Sequence, residues 1–237
     1  MLVKTKAIVI SALRFQEKGL IVKCFTETDG LKTYFIRSAY SQGKSAQKIA
    51  YFQPLTLLEI EAVHKNKGTL ESIKDIRLAV PFQTANTDII KSTMLMFIGE
   101  VLSHSIREEE KNADLYAFLE TALLWLDTHD QTSNFHLILM MEATKFLGFY
   151  PEVTQVSEPF FEMTDGIFTT FHGISCLSAE DTNLLRRLIG LRFSGSQNVF
   201  SGSERQQLLK ILIDYYSLHL DGFKRPKSLE VLKEVFS

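Results

Sequence analysis

Apolar and polar positions alternate in short runs over the first third of the chain, then fall into three- and four-residue spacing. TKAIVISAL (5–13), LIVKCFTET (20–28) and LKTYFIRS (31–38) are rich in β-branched and aromatic residues, the pattern of strands. Asp29-Gly30 between the second and third predicts a two-residue hairpin turn. PLTLLEIEAV (54–63) and TLESIKDIRLA (69–79) follow, split by the glycine-containing turn HKNKG. Five strands, with a longer connection between the third and fourth, predict a small closed OB-type barrel, with an SH3-like barrel as its competitor.

From about residue 84 the period is helical. In NTDIIKSTMLMFIGEVLSHSI, Ile90, Met94, Phe97 and Val101 recur at three- and four-residue steps. DLYAFLETALLWL and FHLILMMEATKFLGF continue the pattern, and Gly148 with Pro151 supplies a stop. Residues 150–176 break it and read as an irregular insertion with one hairpin. Ser178 with Asp181, and Ser203 with Gln206, are capping-box candidates before LLRRLIGL and LLKILIDYYSLHL. Ser228 is the expected N-cap of a last helix, SLEVLKEVF. The expected class is therefore α+β, in two domains: a five-stranded OB barrel over 1–80, then an all-α domain over 81–237 carrying the insertion.

Composition adds one asymmetry. The 237 residues carry a net charge of −2, yet residues 1–80 hold 13 Lys and Arg against 7 Asp and Glu, a net +6, leaving −8 for the remainder. A basic barrel on an acidic body suits a module that faces a polyanion. No apolar run reaches the ~20 residues that a membrane span needs, and the N-terminus is not read as a signal peptide. Cys24 and Cys176 lie far apart and suggest no disulfide framework, so a reducing cytoplasm is the expected compartment.

SAYSQGKS (38–45) comes close to the phosphate-binding loop G-x-x-x-x-G-K-[ST], with Ser38 in place of the first glycine. Its context argues against that reading. The strands before it form a hairpin, AQKIAYFQ spans barely two turns before Pro54, and no later strand ends in a magnesium-binding aspartate. A basic surface loop tracking a sugar-phosphate backbone fits better. No G-x-S-x-G or H-E-x-x-H and no cysteine in a catalytic setting occurs, so the expectation is a protein that is not an enzyme.

Candidate contacts follow from these residue types. Lys23, Lys32, Arg37, Lys44, Lys48, Lys65 and Lys67 are candidates to neutralise phosphates, with binding that weakens as salt rises. Tyr34 and Tyr40 are the candidates for stacking on bases, while Phe25 and Phe35 are expected in the barrel core, which is also the alternative place for Tyr34. Lys91, Arg107, Lys111 and Lys145 are candidate cations around a notch for an acidic partner tail, and Arg187 and Arg192 either reach DNA or cover the bundle.

The strand-rich start, Asp29-Gly30, the Gly43-Lys44-Ser45 loop and the FQPLTLLEI run at 52–60 together resemble the RecO family of recombination mediators. The closing YYSLHLDGFKRPKSLEVL is similar to the end of that family, where a Lys-Ser pair opens the last helix. The resemblance implies an OB barrel with a helical domain, and non-catalytic binding of single- and double-stranded DNA in the RecFOR pathway of recombinational repair. It further implies annealing of complementary strands, contact with RecR and with the C-terminal tail of single-stranded DNA-binding protein (SSB), help in loading RecA, and a nucleoid-associated location. Many members hold zinc with four cysteines in a ribbon-like region matching residues 152–176. Here only His172 and Cys176 remain, short of the four ligands that a structural zinc takes, so no cofactor is expected. The phenylalanines of PFFEM and GIFTTF are expected to pack the insertion instead. An RNA-handling barrel is the alternative function, since nothing in the sequence reads a 2′-hydroxyl.

Overall fold

Two β-bulges and one parallel bridge turn the predicted strands into a closed barrel. The computed structural model describes residues 1–37, 39–40, 49–65, 70–107, 111–195 and 199–236. The strands are β1 (Leu2–Phe15), β2 (Gly19–Thr26), β3 (Gly30–Ile36), β4 (Leu57–Val63) and β5 (Ser72–Leu78), in sheet order β3-β2-β1-β4-β5. All neighbouring pairs are antiparallel. The two ends of the sheet meet in a parallel bridge between Tyr34 and Glu71, in which the Phe35 amide donates to the Glu71 carbonyl at 3.0 Å and the Glu71 amide to the Thr33 carbonyl at 2.8 Å. That closure gives the five-stranded OB barrel and removes the open sheet edges.

Asp29-Gly30 does mark the β2–β3 turn, though not as a two-residue loop. Thr26 pairs with Gly30, so Glu27, Thr28 and Asp29 form the turn, and Gly30 opens β3 at φ +66°. Glycine suits that left-handed position because it has no Cβ to clash.

The chain forms two compact units, Met1–Thr128 and His129–Ser237. In the first, the barrel is joined by α1 (Ile89–Ser105) and α2 (Ala113–Thr128). Ala7 and Val9 belong to the barrel core with Val22, Cys24, Tyr34 and Leu58. Ile8 and Ile10 are buried on the other side of β1, where α1 packs. Burial from both faces is why AIVI shows no alternation. Ile90 departs from its predicted stripe and is exposed, whereas Met94, Phe97 and Val101 are buried. Asp127 binds the segment before α1: its carboxylate accepts from the amides of Gln83, Thr84 and Ala85 at 2.8–2.9 Å.

The second unit contains α3 (Phe135–Leu147), α4 (Ala179–Ile189), α5 (Gly202–His219), α6 (Leu229–Val235) and the hairpin β6 (Phe160–Glu162) with β7 (Ile167–Thr169). Gly148 ends α3 at φ +86°. Ser178 caps α4, accepting from the Asp181 amide. For α5 the capping box is Ser201 with Glu204, not Ser203 with Gln206, because the chain enters the helix one half-turn earlier. Ser228 precedes α6 with helical φ and ψ, so its side chain makes no capping bond. No helix among the described residues is long and apolar enough to cross a membrane.

Candidate nucleic-acid interface

The candidate interface lies where β1, β2 and β3 turn one face outward. The register sets Leu13 against Ile21 and Ile21 against Phe35, and places Lys23 between Ser11 and Thr33. The bulge between Val9 and Ser11 makes this possible. One extra residue reverses the alternation, so that β1 changes from filling the barrel with Val9 to covering its outside with Leu13 and Phe15. Leu13 is 68% exposed and Phe15 40%. The rings of Phe15 and Phe35 meet edge to face at 5.9 Å. Gly19, opposite Phe15, leaves room for that pair: a Cβ there would come within 2.7 Å of the Phe15 carbonyl and 2.8 Å of the Phe35 ring. Strands 2 and 3, with the loops after strands 1 and 4, are the surface on which OB barrels take oligonucleotides.

Beside Phe35 opens a cavity of about 550 Å³ along β3 and β5. Phe35, Ile36, Leu70 and Ile73 give it apolar walls, and Arg37, Lys65 and Lys74 contribute cations. Lys23, Arg37, Lys65 and Lys74 are exposed, and none has a carboxylate partner among the described residues. Glu71, the acid in this wall, is engaged by the Lys65 backbone amide at 2.9 and 3.0 Å. A second concavity, about 400 Å³, lies on β1, β4 and β5 and has the opposite character. There Lys4 pairs with Glu61 at 3.2 Å, Lys6 with Glu120 at 3.0 Å, and Arg77 with Glu59, while Glu27 and Asp75 add negative charge. Cations already neutralised in this way release no further counterions to a phosphate, so of these two concavities the one beside Phe35 is where the described cations lack a carboxylate partner.

The structure places the predicted contacts unevenly. Lys23, Arg37 and Lys65 are exposed on or beside the outer face. Lys44, Lys48 and Lys67, with the SAYSQGKS reading apart from Ala39 and Tyr40, lie outside the described residues. Lys32 and Tyr34 share a strand face, but it is the interior one, and both are buried. The Tyr34 hydroxyl and His64 Nε2 form a 2.8 Å hydrogen bond, and His64 Nδ1 lies 3.5 Å from Asp29. Burial raises the Tyr34 phenol above its ordinary value, followed by the charges of Cys24, Asp29 and Glu71. Neither side chain can meet a ligand without opening the barrel, which corrects both expectations. Phe35, expected in the core, takes the outward place. Tyr40 is 38% exposed, with the Arg14 guanidinium 4.7 Å from its ring centroid, so one ring face is taken.

Lys91 is not a rim cation. It is buried, its ammonium donating to Thr84 Oγ1 at 2.7 Å and the Asp127 carbonyl at 3.3 Å. Arg107 and Lys111 are exposed in the first unit, whereas Lys145, in the second, pairs with Glu142 at 2.6 Å. Arg187 pairs with Glu204 at 2.7 Å and Arg192 with Glu142 at 3.5 Å, as cover for the bundle. In the insertion, Phe161 and Phe168 are buried with centroids 5.0 Å apart. His172 packs edge-on to Phe160, and the Cys176 sulfur accepts from the Gly173 amide.

Comparison with known proteins agrees with this architecture. Residues 1–82 match the family model described as Recombination protein O N terminal, and residues 86–230 match Recombination protein O C terminal. DNA repair protein RecO of Flavobacterium johnsoniae is 65% identical over 237 residues, covering the whole of both chains. Proteins of the same name from Flavobacterium psychrophilum and Christiangramia forsetii are 65% and 40% identical, again over the whole of both chains. A closed OB barrel, a helical remainder and full-length relatives at these identities lead to one assignment: the chain belongs to the RecO family.

Proposed function

We propose that this protein is a DNA-binding recombination mediator that works without making or breaking bonds. Single-stranded DNA lies across the outer face of β2 and β3. Bases stack on Phe35, Phe15 and the open side of Tyr40, and Lys23, Arg37, Lys65 and Lys74 neutralise phosphates. The observation that carries this reading is the aromatic pair of exposed Phe15 and half-buried Phe35 near four exposed cations that have no carboxylate partner among the described residues. Stacking on an aromatic face contributes about 1–3 kcal/mol per base whatever the sequence. Charge neutralisation lets two complementary strands approach and so speeds their annealing. Family membership supports the finer steps of the proposal: contact with RecR and the SSB tail, and help in loading RecA onto SSB-coated strands. The buried Phe161–Phe168 pair supports an insertion that holds its shape by packing, without zinc.

Fluorescence anisotropy with a labelled oligothymidylate tests the interface. Phe35→Ala is expected to weaken binding about tenfold, and Lys23→Ala, at an exposed site that leaves packing intact, severalfold. Annealing rates of complementary oligonucleotides should fall in parallel. Unchanged affinity in both variants would remove the barrel face from the mechanism, and tighter binding of the matching RNA would transfer the role to RNA.

A further inference from the structure

Glu71 is an acid in the wall of a cavity whose other charged residues are Arg37, Lys65 and Lys74, and it is 4% exposed. A carboxylate beside a phosphate path repels the ligand, and a buried one has also lost its water, so its place there calls for a structural reason. Its backbone closes the barrel through the hydrogen bonds with Phe35 and Thr33, but any residue could make those. Its side chain does something particular. Both carboxylate oxygens accept from the Lys65 backbone amide, across the connection between β4 and β5. The residue before Lys65 is held as well. His64 exchanges backbone hydrogen bonds with Met1, at 2.6 and 2.9 Å, and its buried ring bonds to the Tyr34 hydroxyl. Lys65 is thus an exposed residue with an anchored backbone, at the point where the chain leaves β4 beside Phe35.

We propose that Glu71 is a positioning residue for the nucleic-acid face: its carboxylate fixes the backbone of Lys65, so that the Lys65 ammonium meets a phosphate of a strand stacked on Phe35. The inference rests on the DNA-binding role proposed above. Its consequence is the reverse of what charge alone would give. Removing an acid from a phosphate-binding surface strengthens binding when only the summed charge matters. Here the same removal frees Lys65, and the strand loses an ordered cation. Lys74 supplies the contrast. It lies on β5, where the strand ladder sets its place without help from the Glu71 carboxylate.

Oligothymidylate anisotropy on variants of the full chain tests this. Glu71→Ala should weaken binding severalfold and lower the slope of log affinity against log salt by about 0.7, the loss of one phosphate contact on a single strand. In a Lys65→Ala background the same substitution should change affinity little, whereas in a Lys74→Ala background it should weaken binding by the full factor. Glu71→Gln keeps one acceptor for the Lys65 amide and should bind nearly as the wild type does. Hydrogen exchange at the Lys65 amide, read without DNA, should speed up in Glu71→Ala and much less in Glu71→Gln. Tighter or unchanged binding by Glu71→Ala overturns the proposal, as does equal weakening with and without the Lys65 side chain, the mark of a general loss of structure. Unchanged exchange at Lys65 overturns it as well. If Glu71→Ala does not fold, Glu71→Asp takes its place, because it keeps the charge and shortens the reach: weaker binding with faster exchange supports the proposal, and wild-type behaviour overturns it. A wild type that fails to bind the oligonucleotide overturns the DNA-binding role, and the exchange measurement still decides whether Glu71 fixes Lys65.

Discussion

Tyr34 and Phe35 are consecutive aromatic residues with opposite fates, and the difference between them defines the proposed interface. Both fit a strand, and a tyrosine looks the better amphipathic ligand platform. In the barrel the Tyr34 hydroxyl has a buried partner in His64, while Phe35 faces out beside Gly19. Lys32 follows Tyr34 inward. Tyr34→Phe should therefore lower stability by about 1 kcal/mol, the net value of one buried hydrogen bond, and leave oligonucleotide affinity unchanged. Chemical denaturation and anisotropy on the same sample check both halves. The sequence contained one usable signal, the alternation that puts residues 34 and 35 on opposite faces, but not which face was the outer one.

At the scale of elements, the bulge in β1 decides what a ligand meets. TKAIVISAL reads as one strand, and nothing in its composition marks Ile10 as the extra residue that turns Leu13 and Phe15 outward. The helix ends were more legible, because capping is local: Ser178 and Gly148 act where their residue types suggest, and the α5 box lies only two residues away from its expected place. The contact between Asp127, in the last turn of α2, and the segment before α1 is long-range and was not legible. Burial disfavours the Asp127 charge, but the amides of Gln83, Ala85 and Thr84 outweigh it and hold the carboxyl below its ordinary value of 3.8. A folded pKa below the unfolded one means that this stabilisation is complete above about pH 4 and is lost as pH falls through the lower folded value. Asp127→Asn should cost about 2 kcal/mol at neutral pH and speed hydrogen exchange at Gln83, Thr84 and Ala85. It should also flatten the acid dependence of that exchange below pH 4.

For the molecule as a whole, charge is the organising quantity. The +6 of the first 80 residues is not spread evenly, since Lys4, Lys6 and Arg77 are paired on one side, whereas Lys23, Arg37, Lys65 and Lys74 have no carboxylate partner among the described residues. Four phosphates neutralised on a single strand give a slope of about −3 in log affinity against log salt. Lys65→Ala with Lys74→Ala should reduce that slope by about 1.4, whereas Lys4→Ala should leave it unchanged. Titrations at several salt concentrations measure it.

The sequence by itself determined the order of strands and helices, the OB class, the basic front and acidic remainder, and through its resemblance the family. Those properties arise from local periodicity, turn residues and summed charge, which a linear reading retains. Tertiary structure alone decided which side of each strand is the inside, which lysines already have carboxylate partners, and that Phe35 rather than Tyr34 meets the solvent. These depend on register, bulges and barrel closure, where one inserted residue reverses every side chain beyond it.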